Sequence, residues 1–256
     1  MTAAITRPQR ISILGWIRLA FRLIGIVLLL IACVPLYYVW HLAGADHNPW
    51  PRLFLAGVGR ASGLRARIMG QRLRQGTFLL ANHVSWLDIP ALASATGAAF
   101  VGHDGLATAP VLRWLCQMND TVFIARHDRG SVAAQVEQIR SAIRDTGALA
   151  IFPEGTTSDG TGILPFKSSL LSALDPVPPG IAVQPVLLDY GPDAADMAWT
   201  GEESGLDNVR RLLARPGALH VTVHLLPPLA DEALTNRKTM AAAARTQIVE
   251  ALQQRG

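Results

Sequence analysis

The sequence is poor in cysteine and in charged residues. Its two cysteines, Cys33 and Cys116, are too few for a disulfide framework or a zinc cluster. Charged residues make up only 16% of the 256 residues, whereas 50% are hydrophobic, and this composition excludes an intrinsically disordered protein. The length suits one α/β domain with an appendage, or at most two small domains.

Acidic residues are almost missing from the N-terminal part. Residues 1–76 hold ten arginines and one acid, Asp46, which gives a net charge of +9. Residues 77–256 hold 13 basic and 18 acidic residues, a net charge of −5, and the two sums return the formal +4 of the whole chain. The positive charge therefore belongs to the N-terminal segment, and nucleic acid is not an expected partner.

Residues 23–45 contain no Asp, Glu, Lys or Arg. As one helix, these 23 residues would extend about 34 Å, enough to cross the hydrocarbon core of a bilayer. Tyr37, Tyr38 and Trp40 lie at one end, as interfacial aromatic residues do. A signal peptide fits less well, since the apolar run is long and no small-residue cleavage site follows at once. The pattern predicts a membrane segment.

Arginines stand on both sides of this run. They are Arg7, Arg10, Arg18 and Arg22 before it, and Arg52, Arg60, Arg65, Arg67, Arg72 and Arg74 after it. The positive-inside rule places both flanks in the cytoplasm, which one crossing cannot do. We therefore predict a membrane-embedded helical hairpin, with Pro35 breaking the first helix and a second arm through residues 51–63. A single crossing stays open as the alternative.

From Gly76 onward, short apolar runs alternate with helical patterns. The runs predict strands at residues 77–81, 98–102, 121–125, 148–152, 182–188 and 220–226. The last of these alternates between apolar and polar residues, so we place it near an edge of the sheet. Helical spacing predicts one helix over 131–146 and a final helix over 231–253, broken near Asn236. This order predicts an α/β fold with a central sheet flanked by helices.

The residues Asn-His-Val-Ser-Trp-Leu-Asp at 82–88 follow a predicted strand and open a predicted helix. Turns of this kind are where open α/β sheets bind ligands. His83 and Asp88 can pair across the turn, so that the carboxylate sets the tautomer of the imidazole and the ring removes a proton from an alcohol. The alternative is that Asp88 caps the helix and His83 only packs.

A second polar segment, FPEGTTSDG at residues 152–160, also leaves the end of a predicted strand. Its acid, its glycines and its free backbone N–H groups are suited to holding an anion or a hydroxyl group. An ordinary turn is the alternative. Because both segments are predicted to leave the same edge of one sheet, a shared site is favoured.

These motifs resemble those of the glycerolipid acyltransferases typified by 1-acyl-sn-glycerol-3-phosphate acyltransferase. Residues 82–88 match the family signature Asn-His-x-Ser-x-x-Asp, and residues 152–156 match its Phe-Pro-Glu-Gly-Thr block. Lys167 ends the Phe-Lys pair that trails this block, Arg126 stands where the second block ends, and residues 181–188 match the apolar fourth block. Four blocks in family order are far more specific than any one of them.

The resemblance implies a glycerol-3-phosphate acyltransferase-like fold with a mixed central sheet. It implies a membrane-anchoring segment over residues 1–75 and a catalytic domain over 76–256, at the inner membrane and facing the cytoplasm.

The resemblance also implies a mechanism. His83 would be the general base and Asp88 would orient it. The acceptor would attack the thioester of acyl-CoA or acyl-carrier protein directly, with no covalent intermediate. Substrate-binding residues would be Asn82, Ser85, Arg126, Glu154, Gly155, Thr156 and Lys167. The resemblance implies no metal and no cofactor, and the expected partners are a lysolipid acceptor, the acyl donor and membrane lipids.

One departure from the family pattern bears on the acceptor. The family's third block usually continues with an Arg tied to the acceptor phosphate, but here the position is Thr157. Losing the guanidinium removes the best bidentate ligand for a phosphate. The main prediction is a lysolipid O-acyltransferase that makes phosphatidic acid from 1-acyl-sn-glycerol-3-phosphate. The alternative is acylation of lyso-ornithine lipid to ornithine lipid, since enzymes of that branch have a similar third block.

Two other classes of protein are alternatives. A membrane-anchored binding protein with a decayed site would also carry Thr157. A thioesterase or lipase would use Ser85 as its nucleophile, and it is disfavoured because no Gly-x-Ser-x-Gly elbow surrounds that serine.

Overall fold

The seven strands that the structure describes form a single sheet. The structure is a computed structural model, and it describes residues 11–44, 47–73, 76–103, 110–124, 132–201 and 203–255. The strands are β1 (Leu64–Gly70), β2 (Thr77–Ala81), β3 (Ala99–His103), β4 (Val122–Ile124), β5 (Ala148–Ile151), β6 (Ala182–Asp189) and β7 (Leu219–Leu225). Their order is β1-β7-β6-β2-β5-β3-β4, and every neighbouring pair is parallel except β6 and β7. The predicted mixed sheet is confirmed.

The strand β1 was not predicted, and it lies inside the range 1–75 that the sequence assigned to the membrane segment. It pairs in parallel with β7, from Leu64 opposite Leu219 to Gly70 opposite Leu225. Only its first residue is buried and the other six are exposed, so the strand lacks the buried apolar run that marks the others. The sheet therefore begins at Leu64, and β7 is its second strand. The division at residues 75 and 76 otherwise stays a prediction.

Helices cover both faces of the sheet. They are α1 (Ile13–Leu42), α2 (Trp50–Ala61), α3 (Asp88–Thr96), α4 (Pro110–Met118), α5 (Val132–Thr146), α6 (Ala194–Met197), α7 (Gly205–Ala214) and α8 (Arg237–Gln253). Short 3-10 turns lie at Ser168–Leu174, Gly191–Asp193 and Asp231–Leu234. The break predicted near Asn236 is present, because the Asn236 side chain accepts hydrogen bonds from the N–H groups of Lys238 and Thr239 and so begins α8.

The first two helices form an antiparallel pair. Gly57 lies against Leu29, and Gly25 lies against Ala61, so small residues let the helices approach closely. The prediction that Pro35 breaks the first helix is wrong: Pro35 lies inside α1, since a proline removes only one backbone hydrogen bond while the rest of the helix keeps its own. Within the described residues, α1 is the one helix long and apolar enough to cross a membrane, with a mean hydropathy of 2.6.

The central strand β2 is buried on both faces, because side chains of a strand alternate between the two sides of a sheet. Leu79 packs on the side covered by α3 and α7, whereas Phe78 and Leu80 pack on the side covered by α5 and α8. Hydrophobic packing on both faces holds β2 in place. The segment that follows β2 is therefore anchored at its first residue.

Candidate active site

Three neighbouring strands, β6, β2 and β5, run parallel, so their carboxyl ends meet at one edge of the sheet. The segment 82–88 leaves β2 and the segment 152–160 leaves β5. Tyr190 directly follows β6. The two motifs predicted from the sequence therefore lie together, as expected.

His83 and Asp88 form a pair in this structure. His83 Nδ1 lies 2.8 Å from Asp88 Oδ2. The same oxygen accepts hydrogen bonds from the N–H groups of Val84 at 2.6 Å and Ser85 at 2.9 Å, and Oδ1 accepts one from the Tyr190 hydroxyl at 2.6 Å. A carboxylate so placed acts only as an acceptor, so Nδ1 carries the proton and Nε2 keeps its lone pair.

Asp88 is therefore more than a helix cap. The N-cap of α3 is Leu87, which has no side-chain cap hydrogen bond, and Asp88 is the first helical residue. The Asp88 side chain is fully buried, whereas that of His83 is 20% exposed. This difference leaves the imidazole as the group of the pair that a substrate can reach.

The segment after β5 holds His83 from two directions. The ring of Phe152 stacks on the imidazole with centroids 4.2 Å apart, and Phe100 stacks beyond Phe152 at 6.2 Å. The backbone N–H of His83 donates to Glu154 Oε1 at 3.1 Å, and its carbonyl accepts from the N–H of Ser158 at 2.7 Å. No role beyond its place in the family block could be predicted for Phe152, because its stacking on His83 is a tertiary contact between two loops.

Glu154 is buried behind the cavity wall, with 1% of its surface exposed. Its Oε2 has no hydrogen-bond partner among the described residues. Burial raises the pKa of this carboxyl to about 8, although hydrogen bonds from backbone N–H groups, that of His83 first, act in the opposite direction. Burial thus favours the protonated side chain, which costs less than a carboxylate to keep away from water.

Asn82 and Ser85 are also buried, although the resemblance implied that they bind substrate. Asn82 donates to the Leu188 carbonyl at 3.2 Å and accepts from the Leu188 N–H at 2.7 Å, so it ties β2 to β6. Ser85 Oγ accepts from the Leu87 N–H at 3.4 Å within the turn. Neither residue lines the cavity described next, because their hydrogen bonds are made within the fold.

A cavity of about 1070 Å³ lies in front of His83. Gly155, Thr156 and Lys167, which were predicted to bind substrate, line the same cavity. Most of the remaining lining is apolar and comes from α1, α2, α4 and α7. Of the described lining residues, Lys167 is the one Lys, Arg, Asp or Glu. Arg126, which was also predicted to bind substrate, lies outside the described residues.

Thr157 does not present its hydroxyl to this cavity. It donates instead to the carbonyl of Trp199. The N–H of Trp199 donates to the Val84 carbonyl at 3.0 Å, and its indole N–H donates to the Glu203 carbonyl at 2.8 Å. The ring of Trp199 lines the cavity. Thr157, which stands at the family's Arg position, thus holds the Trp199 backbone beside the cavity. The sequence alone did not indicate this contact.

Comparisons with known proteins agree with this arrangement. An acyltransferase family model matches residues 65–189. A lyso-ornithine lipid O-acyltransferase of Rhodobacter capsulatus is 33% identical over 268 aligned positions, covering 97% of this chain and 94% of that protein. A 1-acyl-sn-glycerol-3-phosphate acyltransferase of Neisseria gonorrhoeae is 36% identical over 116 positions, covering 45% of this chain and 44% of that protein. The crystal structure of the 1-acyl-sn-glycerophosphate acyltransferase of Thermotoga maritima has the same fold, with a TM-score of 0.59 at 20% identity, covering 91% of this chain and 97% of that chain.

The chain therefore belongs to the glycerolipid acyltransferase family, as the sequence motifs indicated. Within this family it is a lysolipid acyltransferase, similar over nearly its whole length to the Rhodobacter capsulatus enzyme. The hypothesis of a binding protein without activity is not supported.

Proposed function

We propose that the protein is a lyso-ornithine lipid O-acyltransferase, which transfers a fatty acyl group from acyl-CoA or acyl-carrier protein to the free hydroxyl of lyso-ornithine lipid. Similarity over 97% of the chain to an enzyme of that name supports this acceptor. The similarity to a phosphate-acceptor enzyme covers 45% of the chain. The comparisons thus favour the alternative over the main prediction from the sequence.

The pair of His83 and Asp88 carries the proposed chemistry. His83 Nε2 takes the proton of the acceptor hydroxyl while the hydroxyl oxygen attacks the thioester carbonyl carbon. Asp88 holds the Nδ1–H at 2.8 Å and stabilises the imidazolium that forms. The carbon–sulfur bond then breaks, and the sulfur leaves as a thiol with the proton from His83. Because Ser85 Oγ is buried in the turn, we assign no covalent step to it.

The position of Thr157 supports an acceptor other than a phosphate monoester. Its hydroxyl is held by the Trp199 carbonyl, and the described lining offers one ionised side chain, Lys167. A single ammonium is suited to the one carboxylate of an ornithine head group, whereas a phosphate dianion favours several donors. We assign Lys167 to that carboxylate, and we assign Asn82, Ser85 and Glu154 to holding the loop around His83.

We place α1 in the inner membrane, with the catalytic domain on the cytoplasmic side. Only 6% of its most apolar window is buried within the protein, so its side chains are free to meet lipid. Its apolar inner side lines the cavity, which lets a lysolipid and an acyl chain reach His83 without leaving apolar surroundings. Acyl-CoA and acyl-carrier protein are cytoplasmic, and this favours the same orientation.

The acceptor is tested with purified full-length protein in mixed micelles. Lyso-ornithine lipid and 1-acyl-sn-glycerol-3-phosphate are supplied side by side with one acyl donor, and both thiol release and the acylated lipid are measured. We expect at least about tenfold higher kcat/KM for lyso-ornithine lipid. The phosphate acceptor lacks the carboxylate that we assign to Lys167, and one charge-assisted contact is worth about that factor. The His83→Ala variant gives the background. Acylation of the phosphate acceptor alone would refute the assignment while leaving the family intact.

A further inference from the structure

Tyr190 lies behind the reaction centre, at the end of β6. Its hydroxyl donates to Asp88 Oδ1 at 2.6 Å, across 102 residues of sequence. The side chain is 3% exposed and does not line the cavity, so it does not touch a substrate there. It also lies outside the matched motif blocks, just after the last of them.

The two oxygens of Asp88 are held differently. Oδ2 accepts from His83 and from the N–H groups of Val84 and Ser85, whereas Tyr190 is the one donor to Oδ1 among the described residues. Asp88 is fully buried, so bulk solvent does not reach Oδ1. Removing the phenol hydroxyl would leave a buried carboxylate oxygen without its donor, and such an oxygen is costly unless the side chain turns to find another.

The phenol is itself fixed as a donor. Burial and the nearby charge of Asp88 raise the pKa of Tyr190 well above its usual value, so the hydroxyl keeps its proton. Pairing of β6 with β2, with Val186 opposite Ala81, sets the distance between Tyr190 and the loop that follows β2. The Tyr190 carbonyl accepts from the Asp193 N–H at 3.1 Å, which holds the backbone where the strand ends.

We propose that Tyr190 is a positioning residue for acyl transfer. By holding Oδ1 it sets the plane of the Asp88 carboxylate, so that Oδ2 faces His83 Nδ1 and Nε2 stays directed to the cavity. The buried chain of contacts runs from Tyr190 through Asp88 to His83. The inference rests on the proposed role of His83, but it is independent of which lysolipid is the acceptor.

The test is Tyr190→Phe, which keeps the ring and removes only the hydroxyl. We expect kcat to fall about ten- to a hundredfold, the usual value of a hydrogen bond to a buried charge, with KM for both substrates within about twofold. Tyr38→Phe is the matched control, because the Tyr38 hydroxyl accepts from the Trp114 indole and its ring does not line the cavity. That variant is expected to keep its kcat.

A double-variant cycle asks whether Tyr190 acts through Asp88. If it does, Tyr190→Phe adds no further loss of kcat to Asp88→Asn, since the carboxylate it positions is already gone. Losses that multiply in the double variant, or a kcat of Tyr190→Phe within twofold of the unaltered protein, would overturn the proposal.

A second measurement does not depend on turnover. In protein labelled with 15N-histidine, the Nδ1 proton of His83 is expected far downfield because it is bonded to a carboxylate, and His83→Ala identifies the signal. Tyr190→Phe should shift or broaden this signal, and Tyr38→Phe should not. If no lysolipid is acylated at all, the proposed function fails, and this signal alone decides the role of Tyr190. An unchanged signal in Tyr190→Phe would overturn the positioning role even if kcat falls.

Discussion

The two walls of the cavity are built in opposite ways. One wall comes from the ends of β2 and β5, where His83 and Asp88 are fixed by hydrogen bonds and by the stacked Phe152 ring. The other comes from α1 and α2, whose contribution is almost wholly apolar. Proton transfer requires groups held in one geometry, whereas an acyl chain requires apolar surface of suitable shape. Under the proposed mechanism, the enzyme separates chemistry and chain binding between two parts of the sequence.

A charged side chain of the apolar wall also joins α1 to α7. Arg22 lies on α1, and its guanidinium donates at 3.0–3.3 Å to the carbonyls of Leu212, Leu213, Arg215 and Gly217. Three of these acceptors lie at or just beyond the C-terminal end of α7, where carbonyl groups lack helical partners and favour a cation. The contact thus connects two helices that both line the cavity.

The largest effect is expected on the polar wall, from His83→Ala. Removing the base should lower kcat about a thousandfold, a typical value for a general base. Thiol release from the acyl donor, measured with and without lysolipid, gives the rate. Thermal unfolding shows whether the fold is kept, and a kcat within tenfold of the unaltered enzyme would contradict the mechanism.

A smaller effect is expected on the apolar wall. Leu30 lines the cavity, and Leu30→Trp should lower kcat/KM about tenfold for long acyl donors and less for short ones, because the indole occupies space that the chain needs. Ile31→Trp is the matched control, since Ile31 is 63% exposed on the outer side of the same helix. Equal losses for all chain lengths, or equal losses in both variants, would count against a chain-binding wall.

The smallest effect on turnover is expected from Glu154→Gln, which keeps an oxygen to accept from the His83 N–H. The native pKa of about 8 lies above the usual 4.5, so the folded protein holds a proton that the unfolded chain releases between these values. This carboxyl therefore lowers the free energy of unfolding as pH rises from about 4.5 to about 8. The variant should lose this contribution to the slope of the free energy of unfolding against pH, which is at most about 1.4 kcal/mol per pH unit.

Denaturant unfolding at pH 5, 6, 7 and 8 measures that slope. Glu137→Gln serves as the control, because Glu137 is an exposed partner of Arg144 at 2.9 Å and should leave the slope unchanged. Parallel curves for Glu154→Gln and the unaltered protein would show that Glu154 is already ionised in the folded state.

The strands and the reactive pair could be predicted because their signals are local. Each of the six predicted apolar runs coincides with a strand to within one residue at either end, and His83 and Asp88 are close in sequence across one turn. The strand β1 was missed because six of its seven residues are exposed. Phe152 and Tyr190 could not be assigned their contacts, since these depend on β5 and β6 lying on either side of β2.

The sequence by itself determined the family, the apolar segment with its arginine flanks, and the candidate residues of the reaction centre, because short motifs and local composition identify each of them. Only the tertiary structure decided which of those residues face the cavity. It turned Asn82, Ser85 and Glu154 inward to hold the loop, and it left His83 and Lys167 on the lining. The physical reason is that hydrogen bonds between distant strands, and not the residue types, set where each polar side chain points.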